Sequence, residues 1–213
     1  MEKDIKDIKT GTTTVGIKTR DCIVLAADQR ASMGNLAIDE DAEKIYKITD
    51  CLAVTNAGNV GDSLTIIRFL KSHAKLYEIG REEKLTAKAA TTFLSNILNA
   101  NRYYPFIVQL VVGSFINKPE LFELTPFGGL IEKDKYAVSG SGTYLALNTM
   151  DLNYRDNMAE SEAIALAIQA VNSGKKRDIY SGGNGVTVAV IDSKGTRFLS
   201  EAEKEKFSVG SKK

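Results

Sequence analysis

The order of the hydrophobic patterns constrains the fold most, because helical segments come in consecutive pairs between runs of strand-like segments. Short β-branched and aliphatic runs, separated by Gly, Asn and Asp, predict strands over residues 12–58, interrupted by a looser connection through Gly34. Helical patterns follow at 60–74 and 87–98, and Thr86 is the predicted N-cap of the second. Strands come next, then a helical pair at 143–154 and 160–175, then a hairpin. Paired helices disfavour a doubly wound parallel sheet. They favour an α+β fold, a four-layer αββα sandwich of two stacked, mainly antiparallel sheets.

Composition and charge narrow the classes of function. The 213 residues, 43% of them hydrophobic, suit one soluble domain preceded by a polar leader of about ten residues. The 28 Lys and Arg residues nearly balance 27 Asp and Glu residues, so no nucleic-acid-binding surface is expected. The most apolar stretch, 105–116, is too short to span a bilayer. The N-terminus alternates in charge and forms no secretory signal, so we expect a cytoplasmic protein with no membrane partner.

Histidine and cysteine are too scarce for a metal site. The chain has one His and two Cys, and Cys22 and Cys51 lie far apart, so no ligand cluster has zinc spacing. We expect both cysteines to be free, buried thiols. His73 lies in a helical pattern, away from any Ser or Cys motif, and is interpreted as a solvated helix residue. In a hydrolase, another group would have to accept the proton of the nucleophile.

Three consecutive threonines follow a glycine in "TGTTTVGI", residues 10–17. Threonine suits a half-buried pleated surface, so the run is typical of the start of a strand. Cleavage between Gly11 and Thr12 would give Thr12 a free α-amine beside its own hydroxyl. The pKa of an α-amine is about 7.7–8.0, so it can accept the hydroxyl proton near neutral pH. Thr13 and Thr14 are then interpreted as strand residues that hold Thr12 at the sheet edge.

Six motifs in order resemble the β subunit of the 20S proteasome, most closely its archaeal type. They are "GTTTVGI", "VLAADQRAS", "EKIYKI", "NAGNVGD", "SGSG" and "KRDIYSGG". The resemblance covers residue 12 to about residue 200. The resemblance implies the N-terminal nucleophile hydrolase fold, which is an αββα sandwich. It also implies a self-processing threonine endopeptidase that hydrolyses unfolded proteins without a metal or organic cofactor.

The resemblance assigns the reacting group and its charged neighbours to three residues. Thr12 is the nucleophile, and Lys44 lies beside its hydroxyl, where a positive charge lowers the pKa of the hydroxyl and of the amine. Asp28 pairs with Lys44 and keeps it charged. The alternative for Asp28 and Lys44 is an ordinary surface ion pair, worth at most about 1 kcal/mol.

The other implied catalytic groups come from glycine- and serine-rich segments. Gly58 offers its backbone N–H to the oxyanion, although the same glycine also suits a strand-to-helix turn. Ser141, Asp178 and Ser181 gather near the terminal amine and orient it with a water. Local turn and capping chemistry is the alternative for these three residues.

Substrate contacts follow from the same resemblance. Extended peptides bind by strand addition, with backbone hydrogen bonds for affinity and side-chain pockets for specificity. Gly58, Ser32 and Val60 match positions that supply backbone contacts. The pocket for the residue before the cut includes Ala31, Ala42, Tyr46 and Asn56. Asn56 departs from the apolar residue that often stands there in archaeal relatives, which leaves the cleavage preference open.

The resemblance also implies a precursor and a large assembly. Residues 1–11 are a propeptide that blocks the amine, and residues 12–213 form one catalytic domain with a short polar tail. The Thr12 hydroxyl attacks the carbonyl of Gly11, where a residue without Cβ readily adopts the tight backbone. Two stacked heptameric β rings, flanked by rings of non-catalytic α subunits, receive unfolded polypeptides from a regulatory ATPase ring.

Two other functions are open at this point. One is a structural subunit of the same fold with an inactive site, although Thr12, Asp28 and Lys44 all stand in this chain. The other is a nucleotide-binding protein that uses "SGSG" and "SGGNG" as phosphate loops. Neither segment has the lysine of a P-loop or the spacing of a dinucleotide fingerprint.

Overall fold

The computed structural model describes residues 11–208 and confirms the predicted order of strand runs and helix pairs. The strands in that range are β1 (Thr14–Lys18), β2 (Ile23–Asp28), β3 (Ala31–Met33), β4 (Leu36–Asp39), β5 (Ile45–Thr49), β6 (Leu52–Gly58), β7 (Val108–Phe115), β8 (Pro119–Leu124), β9 (Leu130–Lys133), β10 (Tyr136–Ser139), β11 (Val186–Asp192) and β12 (Gly195–Phe198). The helices are α1 (Val60–Arg81), α2 (Ala87–Ala100), α3 (Thr143–Asn153), α4 (Glu160–Arg177) and α5 (Glu201–Ser208). Of the predicted leader, residues 1–10 lie outside the described residues.

Two five-stranded antiparallel sheets stack face to face and are covered by the helix pairs. The first sheet has the order β10-β1-β2-β11-β12, and the second has the order β5-β6-β7-β8-β9. Helices α3 and α4 cover the first sheet through one apolar cluster, and α1 and α2 cover the second through another. A third cluster lies between the sheets, where Leu25 meets Val111 and Leu121. The predicted αββα sandwich is therefore confirmed.

Strand β2 shows why its sequence is apolar without alternation. Val24 and Ala26 face helices α3 and α4, whereas Ile23, Leu25 and Ala27 face the second sheet. Successive side chains of a strand point to opposite faces, and both faces of β2 are buried. The strand therefore brings its last residue, Asp28, into the interior of the sandwich.

Three local features differ from the sequence-based interpretation or refine it. The connection through Gly34, expected to be irregular, is an exposed hairpin of β3 and β4, and Gly34 has a φ of 60°. His73 is half-buried and stacks on Phe93, with ring centroids 3.8 Å apart, so the expectation of a solvated residue was wrong. Cys22 and Cys51 are buried and free, as expected.

The described residues show neither a membrane span nor a metal centre. None of the helices within residues 11–208 combines the length and apolar character that crossing a bilayer requires. In the same range, no group of three or more His, Cys, Asp and Glu side chains is placed to hold a metal ion.

Ser114 allows a test of how much a buried hydroxyl without a hydrogen-bond partner costs in stability. Its hydroxyl, in β7, is buried without a hydrogen-bond partner among the described residues. A buried unpaired hydroxyl costs about 1–3 kcal/mol, so Ser114→Ala should raise the free energy of unfolding by about 1 kcal/mol. Ser139→Ala is the matched control, because the Ser139 hydroxyl bonds Thr14 at 2.7 Å, and it should destabilise the fold. Denaturant titration of the chain measures both changes; equal effects of the two variants would contradict this account.

Candidate active site

Lys44 and Asp28 bring opposite charges against the hydroxyl of Thr12 in the protein interior. Asp28 ends β2 beside the start of β1, and Lys44 directly precedes β5 of the second sheet. Lys44 Nζ donates to Thr12 Oγ1 at 3.0 Å and to Asp28 Oδ1 at 2.8 Å. It also lies 3.3 Å from the Gly11 carbonyl oxygen. An ammonium has three protons to donate, and these three acceptors match a protonated lysine.

The carboxylate of Asp28 is held by two further elements of the fold. Its Oδ1 accepts from the Thr13 amide at 3.0 Å, and its Oδ2 accepts from the Gly182 amide at 2.8 Å. The side chains of Lys44 and Asp28 are 7% and 0% exposed. The alternative of an ordinary surface ion pair is therefore wrong for this pair. A buried pair of this kind needs both its partners, since one charge left alone is costly.

Burial and charge act in opposite directions on Lys44. Burial lowers the pKa of Lys44 below that of an exposed lysine, and the adjacent Asp28 carboxylate opposes this shift. The ammonium lies at hydrogen-bond distance from Thr12 Oγ1. In a low-dielectric interior, a positive charge there favours a negative charge on the Thr12 oxygen.

On the other side of Thr12, its backbone nitrogen enters a chain of hydroxyl and carboxylate groups. The Thr12 amide donates to Ser141 Oγ at 3.1 Å. Ser141 Oγ and Ser181 Oγ both donate to Asp178 Oδ2, the latter at 2.5 Å. These residues come from the segment before α3, the end of α4 and the loop before β11. The "SGSG" and "SGGNG" segments therefore contact Thr12 and Asp28, and this arrangement gives no support to a phosphate loop.

The second and third threonines have partners that the sequence interpretation missed. Thr13 Oγ1 lies 2.8 Å from Ser181 Oγ, and Thr14 Oγ1 lies 2.7 Å from Ser139 Oγ. A Cβ added at Gly142 or Gly174 would lie 1.9 or 2.1 Å from Thr13 Oγ1. Thr13 directly precedes β1, so the expectation that it is a strand residue was wrong, and its hydroxyl joins the network around Asp178 through Ser181. No local signal separates this role from ordinary strand propensity.

A cavity of about 310 Å³ opens beside Thr12. Its lining residues are Thr12, Ala57, Gly58, Ile107, Val108, Gln109, Pro126, Gly140 and Ser141. Gly58 has a φ of 140°, and a Cβ there would lie 2.0 Å from the Ile107 carbonyl oxygen, so only glycine fits. Gly58 and Thr12 therefore line the same cavity, and the Gly58 backbone carries no side chain that could fill it.

Gly11, the residue before Thr12, has as little space around it as Gly58. A Cβ on Gly11 would lie 1.5 Å from Tyr180 Cβ, so a larger residue has no room. The Thr12 hydroxyl donates to the Gly11 carbonyl oxygen at 2.5 Å. The Thr12 hydroxyl oxygen therefore lies next to the carbonyl of the Gly11–Thr12 peptide bond.

Of the sequence-predicted substrate residues, Gly58 lines this cavity and the other six lie outside it. They are Ala31, Ser32, Ala42, Tyr46, Asn56 and Val60. Ser32 Oγ donates to the Tyr180 carbonyl oxygen at 3.3 Å, and the Tyr46 hydroxyl donates to the Glu43 carbonyl oxygen at 2.7 Å.

Asn56 is the member of this set with an unsatisfied polar atom. Its amide N–H donates to the Lys44 carbonyl oxygen at 2.9 Å, which places Asn56 next to Lys44. Its side chain is buried, and Oδ1 has no hydrogen-bond partner among residues 11–208. Buried polar groups normally have partners, so this atom marks a position where a ligand could supply a donor.

Comparison with known proteins agrees with this geometry. The family model described as "Proteasome subunit" matches residues 8–191. Proteasome subunit beta of Methanocaldococcus fervens is 43% identical over 202 residues, covering 94% of this chain and 90% of the relative. The same subunit of Methanococcus maripaludis strain C5 is 40% identical over 204 residues, covering 95% of this chain and 93% of the relative.

Proposed function

The chain belongs to the proteasome subunit family as a catalytic β subunit of the threonine peptidase type, and we propose that it activates itself by cleaving the Gly11–Thr12 bond. The observation that carries the proposal is the position of Lys44. Its ammonium contacts the Thr12 hydroxyl, the Asp28 carboxylate and the Gly11 carbonyl oxygen at once. One cation can therefore serve both self-cleavage and the later hydrolysis of substrates.

Self-cleavage proceeds as a transfer of the Gly11 acyl group from nitrogen to oxygen. Thr12 Oγ1 bonds to the Gly11 carbonyl carbon and gives up its proton. That proton passes to the Thr12 nitrogen as the C–N bond breaks, so the nitrogen leaves as a free amine. Water then hydrolyses the ester, which releases a leader ending at the Gly11 carboxylate and restores the hydroxyl. The 2.5 Å contact between Thr12 Oγ1 and the Gly11 oxygen supports this proposal, as does the Lys44 ammonium beside that oxygen.

In the mature subunit, the same nitrogen acts as the base. The Thr12 amine accepts the hydroxyl proton while Thr12 Oγ1 attacks a substrate carbonyl, then donates it to the leaving amine. Water hydrolyses the resulting ester. Ser141, Asp178 and Ser181 orient the amine, and the N–H of Gly58 stabilises the oxyanion. Supporting this assignment, Thr12 N already lies 3.1 Å from Ser141 Oγ before cleavage.

The subunit assembles into a proteasome particle, and the finer architecture is part of the proposal. We place it in heptameric β rings between α rings, in the cytoplasm, with a regulatory ATPase ring supplying unfolded polypeptides. Exposed apolar side chains support extensive subunit contacts. They include Met33, Leu36 and Ile38 of the β3–β4 hairpin, and Leu76 and Ile79 of α1.

The test is to assemble the particle with its α partner and to determine the N-terminus and peptidase activity together. We expect the β chain to begin at Thr12 and the particle to hydrolyse peptides. A chain that keeps residues 1–11 and hydrolyses peptides would overturn the mechanism. A processed particle without activity would identify the inactive structural subunit instead.

Asn56 leads to a prediction on specificity, because we assign it to the pocket for the residue before the cut. A polar residue there can donate to the unpartnered Oδ1, whereas an apolar residue cannot. Asn56→Leu should therefore raise the kcat/KM ratio of a Leu peptide over the matching Gln peptide by about tenfold. The Asn172→Leu variant in α4, which covers the other sheet, should leave the ratio unchanged. An unchanged ratio in Asn56→Leu would remove Asn56 from the pocket.

A further inference from the structure

The loop of residues 178–185 joins α4 to β11 and carries several groups of the active site. Asp178 and Ser181 belong to the network around the Thr12 nitrogen. The Gly182 amide donates to Asp28 Oδ2 at 2.8 Å, and the Gly182 carbonyl oxygen accepts from the Gln29 amide at 3.0 Å. The position of this loop therefore determines how Asp28 is held.

The Lys175 side chain forms hydrogen bonds with the end of this loop that precedes β11. Lys175 lies in the last turn of α4, and its Nζ donates to the Gly183 carbonyl oxygen at 3.0 Å. The same Nζ donates to the Gly185 carbonyl oxygen at 2.9 Å. Two carbonyls on either side of Asn184 thus converge on a single ammonium. Charge-assisted hydrogen bonds of this kind are stronger than neutral ones.

The loop backbone that accepts hydrogen bonds from Lys175 has an unusual conformation at Gly183. Gly183 has a φ of 94°, in the left-handed region, and a Cβ there would lie 2.7 Å from the carbonyl carbon of Gln29. This close approach to Gln29 brings the loop against the chain that directly follows Asp28. A shift of the Gly183 carbonyl would therefore move the adjacent Gly182 amide away from the carboxylate.

The charge of Lys175 also interacts with the charge of Asp28. Burial lowers the pKa of Lys175, and the Asp28 carboxylate opposes this shift. Arg30, Glu40 and Lys204 are the other charged groups that act on it. Its positive charge therefore contributes to the potential at the buried pair of Asp28 and Lys44.

We propose that Lys175 is a positioning residue of this peptidase, which fixes the 178–185 loop so that the Gly182 amide holds Asp28 against Lys44. The proposal rests on the proposed function. Lys175 touches neither the nucleophile nor its base, and acts through the Gly183 and Gly185 carbonyls. The catalytic motifs in the sequence do not include it.

The test compares Lys175→Met with Lys176→Met in the assembled particle. The two variants lose the same charge from adjacent residues, but the Lys176 side chain is exposed to solvent. Lys175→Met should lower kcat by about tenfold per processed subunit, with KM changed less than twofold. Lys176→Met should match the wild-type particle, and Lys175→Arg should recover part of kcat. Mass spectrometry of the N-terminus gives the number of processed subunits.

The pH profile separates positioning from a merely structural role. Loss of the Lys175 charge makes the potential at the site less positive, so the acidic limb of kcat/KM should move to higher pH in Lys175→Met. Lys176→Met should show no such shift. Wild-type kcat and an unshifted pH profile in Lys175→Met would overturn the proposal. A loss of activity fully explained by a smaller number of assembled particles would overturn it as well. Unprocessed wild-type chains would instead show that the proposed function fails, and this proposal with it.

Discussion

Thr12→Ala is expected to abolish peptide hydrolysis and to leave residues 1–11 attached in the assembled particle. The substitution removes the oxygen that attacks both the Gly11 carbonyl and the substrate carbonyl, while the surrounding charges remain. Loss of a nucleophile costs about 10⁴-fold or more in rate. Peptide hydrolysis and the mass of the N-terminal peptide, measured on the same preparation, test both consequences.

Thr12→Ser is the matched control for this prediction. Serine keeps a hydroxyl within reach of Lys44 and, after cleavage, a free α-amine. It lacks the γ-methyl group that restricts the side chain to few rotamers. Processing and hydrolysis should therefore persist at a reduced rate. Removal of the leader in Thr12→Ala at the wild-type rate would show that another group cleaves the Gly11–Thr12 bond.

The overall fold followed from the sequence because its signals are local. The change of hydrophobic period marks each helix pair, and Thr86 caps α2 by accepting from the Ala89 amide, as its position predicts. The short β3–β4 hairpin escaped detection because its β4 strand is exposed throughout and has no buried face to impose a pattern. The packing of His73 on Phe93 depends on two different helices, so neither segment alone indicates it.

In the candidate site, too, some residues could be predicted from local sequence and others depend on contacts between distant segments. The sequence makes Thr12 a chemical candidate, since its hydroxyl and future amine share one residue. The contact between Lys44 and Thr12 spans 32 residues and joins two different sheets, so only the resemblance to a family brought Lys44 forward. The motif that contains Thr13 assigns it no catalytic role, and Lys175 lies outside all six motifs. Their roles depend on a serine and two carbonyl oxygens that the loops bring to them.

Lys44→Ala is the other substitution with a large expected effect, and its interpretation needs a control for folding. The variant should lose nearly all hydrolysis and leader removal, because no cation would stabilise charge on Thr12 Oγ1. It also leaves Asp28 buried without its counter-charge, which costs about 3–5 kcal/mol. A loss of activity in Lys44→Ala alone would thus mix an electrostatic effect with a loss of stability.

The double variant Asp28→Asn, Lys44→Met separates these effects. It replaces the buried pair by neutral side chains of similar size, so no unpaired charge is left in the interior. We expect this chain to assemble and yet to remain unprocessed and inactive, since the hydroxyl of Thr12 is intact but has no ammonium beside it. Unfolding and particle assembly are measured alongside hydrolysis. Substantial hydrolysis by an assembled double variant would contradict the electrostatic role of Lys44.

The pH dependence of the wild-type particle tests the same role without a substitution. In the proposed mechanism Lys44 acts in its protonated form, and burial lowers its pKa below that of an exposed lysine. Activity should therefore fall as the pH rises through the pKa of Lys44, at a lower pH than an exposed lysine would require. The acidic limb has the opposite sign, because the Thr12 amine accepts a proton only when it is neutral. An alkaline limb that persists in an active Lys44 variant would assign that limb to another group.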